Sequence, residues 1–244
     1  MKGVIKDILR KFFISCRIPI TRNIRYDILT QQILQSVLKS NSSCVDVGAH
    51  KGEMLALIRK YAPQGRHFAF EPIPAMFEQL QQIVSSDVKV FPFALSNYNG
   101  KTTFHLVKDE PAYSGIKRRE YKTANPIVEV IEVEVMRMDD VLQKREVSID
   151  LIKIDVEGGE LDVMRGAESI LKKDRPVLVF ECGKGASEFY NNSPEMVFDF
   201  LHQLSYSIYL LDAFLAGGSA FERDQFVDAF HQGSDYYFIA AARK

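Results

Sequence analysis

The sequence Asp155-Val156-Glu157-Gly158-Gly159-Glu160 packs three carboxylates into six positions, directly after the apolar run around Ile152 and Ile154. Carboxylates this close repel one another unless they face water, a cation or a substrate. Period-two alternation marks 149–154 as a strand, which delivers Asp155 and Glu157 to its carboxyl end, where open α/β sheets bind ligands. A carboxylate there can take the proton of a hydroxyl group as it becomes a nucleophile, so Asp155 and Glu157 are the expected catalytic pair. A divalent cation on the same oxygens is the alternative chemistry; no metal is assigned. Lys153 is expected to hold a carboxylate or contact substrate. Glu160 suits the positive end of a following helix and is grouped with the substrate residues. Glu181 ends the next apolar strand on the same rim and is expected to bind a hydroxyl.

A second constellation is Val45-Asp46-Val47-Gly48-Ala49-His50-Lys51-Gly52. A buried strand ends on an acid and a glycine, and a second glycine opens a helix. Glycine lets the backbone turn sharply and approach a ligand closely, and the helix start offers free N–H groups. A dinucleotide site asks for Gly-x-Gly-x-x-Gly to seat a pyrophosphate. Here the spacing is Gly-x-x-x-Gly, which suits a ligand without pyrophosphate such as S-adenosylmethionine, with Asp46 attracting its amino group. Glu71 closes the next strand, where an acid accepts hydrogen bonds from a ribose diol. The expected donor-site residues are Asp46, Gly48, Ala49, His50, Gly52, Glu71, Pro72, Ala94 and Leu95.

Strands at 44–47, 68–70, 88–93, 149–154, 177–180, 207–211 and 236–240 must position these groups. Helical patterns at 53–61, 75–84, 161–171 and 196–204 lie between them. This alternation predicts an α/β fold, a mostly parallel seven-stranded sheet with helices on both faces. No helix is expected between the last two strands, which makes the last one a candidate for antiparallel pairing. Residues 102–107 and 128–135 alternate apolar and polar side chains and predict a hairpin insert. Helical spacing at 4–13 and 28–38 marks an N-terminal helical extension, so the expected organisation is 1–42 followed by a single domain over 43–244.

Between the hairpin strands lies the polar stretch 108–126. Lys117, Arg118, Arg119 and Lys122 make it basic, and Tyr113 and Tyr121 offer flat faces to a sugar ring. A loop of this length inside a domain is functional or disordered. It is expected to act as a lid over an acceptor, anionic in part, through Tyr113, Ser114, Arg118 and Arg119. Tyr113 and Lys117 also match the Tyr-x-x-x-Lys of short-chain dehydrogenases, but Pro111 and Gly115 oppose the helix that motif needs.

With 31 basic and 32 acidic residues the formal net charge is −1, which argues against nucleic acid as a partner. Cys16, Cys44 and Cys182 form neither a disulfide framework nor a zinc motif and read as free thiols. No apolar run reaches the ~18 residues of a membrane span, and basic residues interrupt the start too often for a secretory signal. The chain is therefore expected to be cytoplasmic. The basic amphipathic pattern at 4–13 allows peripheral membrane contact, with packing on the domain as the plainer reading. No pattern specifies an oligomeric state.

Taken together, these motifs resemble the FkbM family of methyltransferases. The segment 45–52 is similar to its first motif, which usually has asparagine where His50 stands. Phe70-Glu71-Pro72 resembles the second motif, and Ala94-Leu95-Ser96 with Asn99-Gly100 the third. The run 151–158 with Glu160 and Arg165-Gly166-Ala167 is the most specific match. The resemblance covers 43–182. It implies a Rossmann-like class I methyltransferase fold, S-adenosylmethionine as methyl donor, and O-methylation of a small-molecule or glycan acceptor. The rival expectations are a nicotinamide-dependent sugar oxidoreductase and a catalytically inactive donor-binding module.

Overall fold

The computed structural model describes residues 13–14, 16–119, 121 and 125–243. The helix expected at 4–13 lies outside these residues, Phe13 apart. Helix α1 (Arg22–Val37) starts earlier than the apolar spacing indicates, because the Thr21 side chain caps it by accepting from the Ile24 N–H at 3.2 Å.

The main sheet follows in order of sequence: β1 (Cys44–Val47), α2 (Glu53–Tyr61), β2 (His67–Phe70), α3 (Pro74–Ile83) and β3 (Val88–Phe91). The expected third strand then breaks. Pro92 has no N–H to give to a ladder, and β4 (Phe93–Leu95) leaves for a second sheet with β5 (Gly100–Val107) and β6 (Val128–Met136). β5 and β6 pair antiparallel, as their alternation predicts, while β4 runs parallel to β6.

The chain returns through the short helix α4 (Met138–Val141) to β7 (Leu151–Ile154). The helix expected at 161–171 is two helices, α5 (Glu160–Gly166) and α6 (Glu168–Asp174). The bend between them brings Gly166 so close to the preceding loop that a Cβ there would lie 2.0 Å from the Ser96 carbonyl oxygen. β8 (Val177–Glu181), α7 (Pro194–Gln203) and β9 (Tyr206–Leu210) follow, then two helices that the sequence pattern missed, α8 (Leu211–Leu215) and α9 (Arg223–Gln232), and finally β10 (Tyr237–Ala242). α9 offers only Phe226 and Phe230 to the core, one turn apart, too short a stripe to stand out.

The seven-stranded sheet has the order β3-β2-β1-β7-β8-β10-β9, and β10 alone runs against its neighbours. Alternation along β1 and β7 splits the core between its two faces. Val45, Val47, Ile152 and Ile154 pack with Leu161, Met164, Leu201 and Phe226 on one side. Cys44 and Leu151 pack with Ile33 and Leu34 of α1 and Ile58 of α2 on the other. Asp46 and Lys153, partners in register between β1 and β7, share that second face.

Candidate active site

The carboxyl ends of β1, β2, β7 and β8 open into one cleft of about 1350 Å³, the second sheet forming a side wall. At the end of β1, Gly48 turns away with φ +75°, and the N–H groups of Gly48 and Ala49 both donate to the Phe70 carbonyl, at 3.0 and 3.1 Å. Glu71 is buried and braces this turn. Its Oε2 accepts from the His50 N–H at 2.7 Å and its Oε1 from the Ile73 N–H at 2.9 Å. Burial raises the Glu71 carboxyl above its ordinary range, against the pull of those two amides. His50 has φ +47°. Asparagine and histidine tolerate that left-handed region better than most residues, which accounts for either standing here. Burial lowers the His50 imidazole.

Asp46 is wholly buried behind the cleft wall, and neither of its oxygens has a hydrogen-bond partner. Its counter-charge is Lys153, whose Nζ lies 3.5 Å away, 3.6 Å from Asp155 Oδ2, and donates to the Gly48 carbonyl at 3.0 Å. Burial lifts the Asp46 carboxyl and Lys153 pulls it back. For Lys153, burial alone would lower the ammonium, but Asp155, Asp46 and Glu71 hold it above the usual lysine value. This lysine ties the glycine turn to the acid cluster.

On the other side, Asp155, Glu157 and Glu181 bring one oxygen each within 4.8 Å of one another. Burial, followed by the Asp155 and Glu160 charges, pushes Glu181 well above the carboxylate range. Asp155 Oδ2 accepts from the Tyr237 hydroxyl at 3.2 Å. Glu157, at φ +60°, forms an ion pair with Arg119.

Glu160 points away from the cleft. It is 4% exposed, and its Oε1 accepts from the Val156 and Gly158 N–H groups, both at 3.1 Å, shaping the loop that presents Asp155 and Glu157. Burial lifts its carboxyl to about 7. The unfolded chain releases that proton near pH ~4.3. Between about pH 4.5 and 7 the folded state therefore holds the extra proton, and stability falls as pH rises through this window. Glu160→Gln keeps an oxygen for both amides and removes the buried charge. In thermal melts it is expected to gain on the order of 1 kcal/mol at pH 8 and nothing at pH 5. A gain equal at both values would contradict this.

Within the insert, Gly115 is tied to β5: His105 and Gly115 exchange backbone hydrogen bonds at 2.8 and 3.2 Å. The Ser114 hydroxyl accepts from the Val107 N–H at 3.0 Å, and the Lys117 N–H donates to the Tyr190 hydroxyl at 3.2 Å. The Arg119 guanidinium sits 5.5 Å from the centroid of the Tyr113 ring. Arg119, Tyr113 and Ser114 line the cleft, while Arg118 is exposed outside it.

A profile of the methyltransferase FkbM domain matches residues 46–208. The chain belongs to the FkbM methyltransferase family. Methyltransferase sdnD of Sordaria araneosa is 28% identical over 161 residues, covering 54% of this FkbM chain and 62% of that protein. The 2-O-methyltransferase NoeI of Sinorhizobium fredii is 26% identical over 163 residues, 59% of this chain and 65% of that protein. The match thus spans less than two thirds of either relative. The crystal structure of a methyltransferase FkbM from Methylobacillus flagellatus superposes with a TM-score of 0.52 at 16% identity, over 84% of this chain and 44% of that one. That likeness is one of fold, and it agrees with the Rossmann-like class I architecture described above.

Of the residues that the sequence marks in this FkbM chain, the cleft gathers Gly48, Ala49, His50, Gly52, Glu71, Pro72, Ala94, Leu95, Lys153, Asp155, Glu157, Glu181, Tyr113, Ser114 and Arg119 along its walls. Asp46, Glu160 and Arg118 do not line it. The cleft also has a wall that sequence reasoning missed, made by Arg22, Asn23 and Tyr26 of α1 with Asp235, Tyr236 and Tyr237 near the C-terminus. Their only sequence signal was the paired tyrosines at the start of an apolar strand. Among the described residues, no helix is long and apolar enough to cross a membrane.

Proposed function

We propose that this chain moves the methyl group of S-adenosylmethionine to a hydroxyl oxygen of a small-molecule or glycan-type acceptor. The observation that carries the reading is the division of one cleft into a glycine turn braced by Glu71 on one side and an acid cluster on the other. The donor fits this chain's own groups. Each Glu71 oxygen holds one backbone N–H and keeps a lone pair for a ribose hydroxyl, and Phe93, Ala94 and Leu95 give an apolar wall suited to a flat base. When bound, the donor supplies a methyl group already activated by its sulfonium.

The remaining work falls to the protein, and much of it is positioning. Asp155 accepts the proton of the acceptor hydroxyl. Lys153 and Tyr237 hold its carboxylate in place. Glu181, on the same cleft wall, hydrogen-bonds a neighbouring acceptor hydroxyl. Arg119 lines the cleft and exchanges its ion pair with Glu157 for a carboxylate or phosphate on the acceptor, since guanidinium pairs bidentately with either. NoeI is named a 2-O-methyltransferase, which supports oxygen as the receiving atom.

Calorimetry with S-adenosylhomocysteine tests the donor site. Glu71→Ala is expected to weaken binding by about 10- to 100-fold, through the lost hydrogen bonds to a charged acceptor and a loosened turn. Binding of a nicotinamide dinucleotide instead of S-adenosylhomocysteine would favour the oxidoreductase reading. Donor binding without radiolabel transfer across a glycan panel would favour an inactive module. With a working acceptor, Arg119→Ala is expected to raise its KM about tenfold and Arg118→Ala to leave it unchanged, with donor affinity the same in both. Equal effects from the two arginines would remove Arg119 from this role.

A further inference from the structure

We infer that Tyr237 is a positioning residue for Asp155, and that α1 holds it in place through Tyr26 and Asp235. The inference rests on Asp155 as the proton acceptor of the reaction proposed above. It adds two segments, α1 and β10, that lie outside the 46–208 match to the family domain.

Tyr237 opens β10 and stands opposite Glu181 in the antiparallel pair with β8. That register sets its phenol over the end of β7, where the hydroxyl donates to Asp155 Oδ2 at 3.2 Å. Burial, then the charge of Asp155, pushes the Tyr237 phenol well above its ordinary value, so it stays protonated and donates. Lys153 approaches the same oxygen at 3.6 Å. The two groups together hold that one oxygen of the carboxylate.

The loop before β10 is tied both to the end of β8, where the Cys182 N–H donates to the Tyr236 carbonyl at 2.8 Å, and to α1. The Tyr26 hydroxyl donates to Asp235 Oδ1 at 2.8 Å and accepts from the Tyr236 N–H at 3.3 Å. Arg25 adds Nη1 to Asp235 at 3.4 Å and Nη2 to Asp212 at 2.6 Å. The Tyr26 ring lies edge-on to Tyr236 at 4.8 Å and tilted against Tyr237 at 5.7 Å between centroids. Tyr26 is itself 5% exposed. A buried hydroxyl that satisfies both a carboxylate and a backbone amide is costly to remove. This joint is therefore a rigid support for Tyr237.

The test uses the full chain carrying ζ-¹³C tyrosine, with the Tyr237 signal assigned by its loss in Tyr237→Phe. Asp155→Asn is expected to shift that signal, and Tyr26→Phe or Asp235→Asn to abolish its sensitivity to Asp155→Asn. Methyl transfer from tritiated S-adenosylmethionine into a total cell glycan extract gives the second readout. Tyr237→Phe is expected to lower kcat about tenfold while the donor KM and S-adenosylhomocysteine affinity stay at the wild-type values. Circular dichroism melts confirm that each variant folds. A Tyr237 signal indifferent to Asp155→Asn overturns the inference, as does a Tyr237→Phe protein that keeps full turnover or loses donor affinity in step with it. Failure of the wild-type chain to bind S-adenosylhomocysteine would instead strike the donor assignment, and the resonance shift would still report on the Tyr237–Asp155 contact.

Discussion

Gly48→Val is expected to abolish S-adenosylhomocysteine binding and to cost the fold about 4 kcal/mol, summed from overpacking and from backbone strain. Two independent features give the same sign. The residue sits at φ +75°, where a β-branched side chain is a steric outlier, and a Cβ there would lie 2.0 Å from the Asp155 carbonyl oxygen. That neighbour is backbone and cannot rotate aside. The only relief is to part β1 from β7, which also moves Lys153 off the Gly48 carbonyl and Asp155 away from the cleft. Urea denaturation together with calorimetry checks this. A variant with wild-type midpoint and wild-type affinity would show that the turn neither packs nor binds as described.

Asp155→Asn is expected to lower kcat about 10²- to 10⁴-fold, the range that a positioned base contributes, while S-adenosylhomocysteine affinity changes no more than about threefold. The amide keeps the size of the side chain and an oxygen for the Tyr237 hydroxyl at the 3.2 Å contact. It cannot take a proton. Lys153 keeps Asp46 as a counter-charge at 3.5 Å, so the variant is expected to fold. Single-turnover methyl transfer beside donor calorimetry separates the two effects. Equal losses in both would make Asp155 a donor-binding group instead. The same assay on Glu157→Gln is informative, because its ion pair with Arg119 engages that carboxylate before any acceptor arrives.

What the sequence reveals and what it hides follow from the range of the interactions. β1, its glycine turn and β7 were legible because strand periodicity and backbone geometry are local: apolar alternation at 44–47 and 151–154 and glycines at 48 and 52 declare themselves within a few residues. Glu71 was legible for the same reason, as the acid that closes the next strand. Asp46 was marked as a donor contact, yet its neighbour Lys153 is 107 positions on, and only the parallel register of β1 with β7 shows that the two face each other. Glu160 carried the right residue type for an acid cluster, but the helix that begins with it turns the side chain back to the amides of its own loop. Tyr26, Asp235 and Tyr237 were missed because their meeting depends on α1 folding back over the C-terminal strand, and no short-range pattern encodes that. The split of the expected strand at 88–93 was signalled by Pro92, read as an ordinary residue within an apolar run.

That split leaves Ala94 and Leu95 on a plate separate from the main sheet. The same small core holds Ala94 with Phe104, Val133 and Val135, and Ile116 of the insert packs against it. The segment that carries Arg119 and the wall formed by Ala94 thus share one small core, while Leu95 of the same strand packs into the core of the main sheet. A ligand held by Arg119 and a ligand resting on Ala94 would therefore press on the same small core. Two ligands that load one body are energetically linked, and the factor by which the first alters affinity for the second is the factor by which the second alters the first.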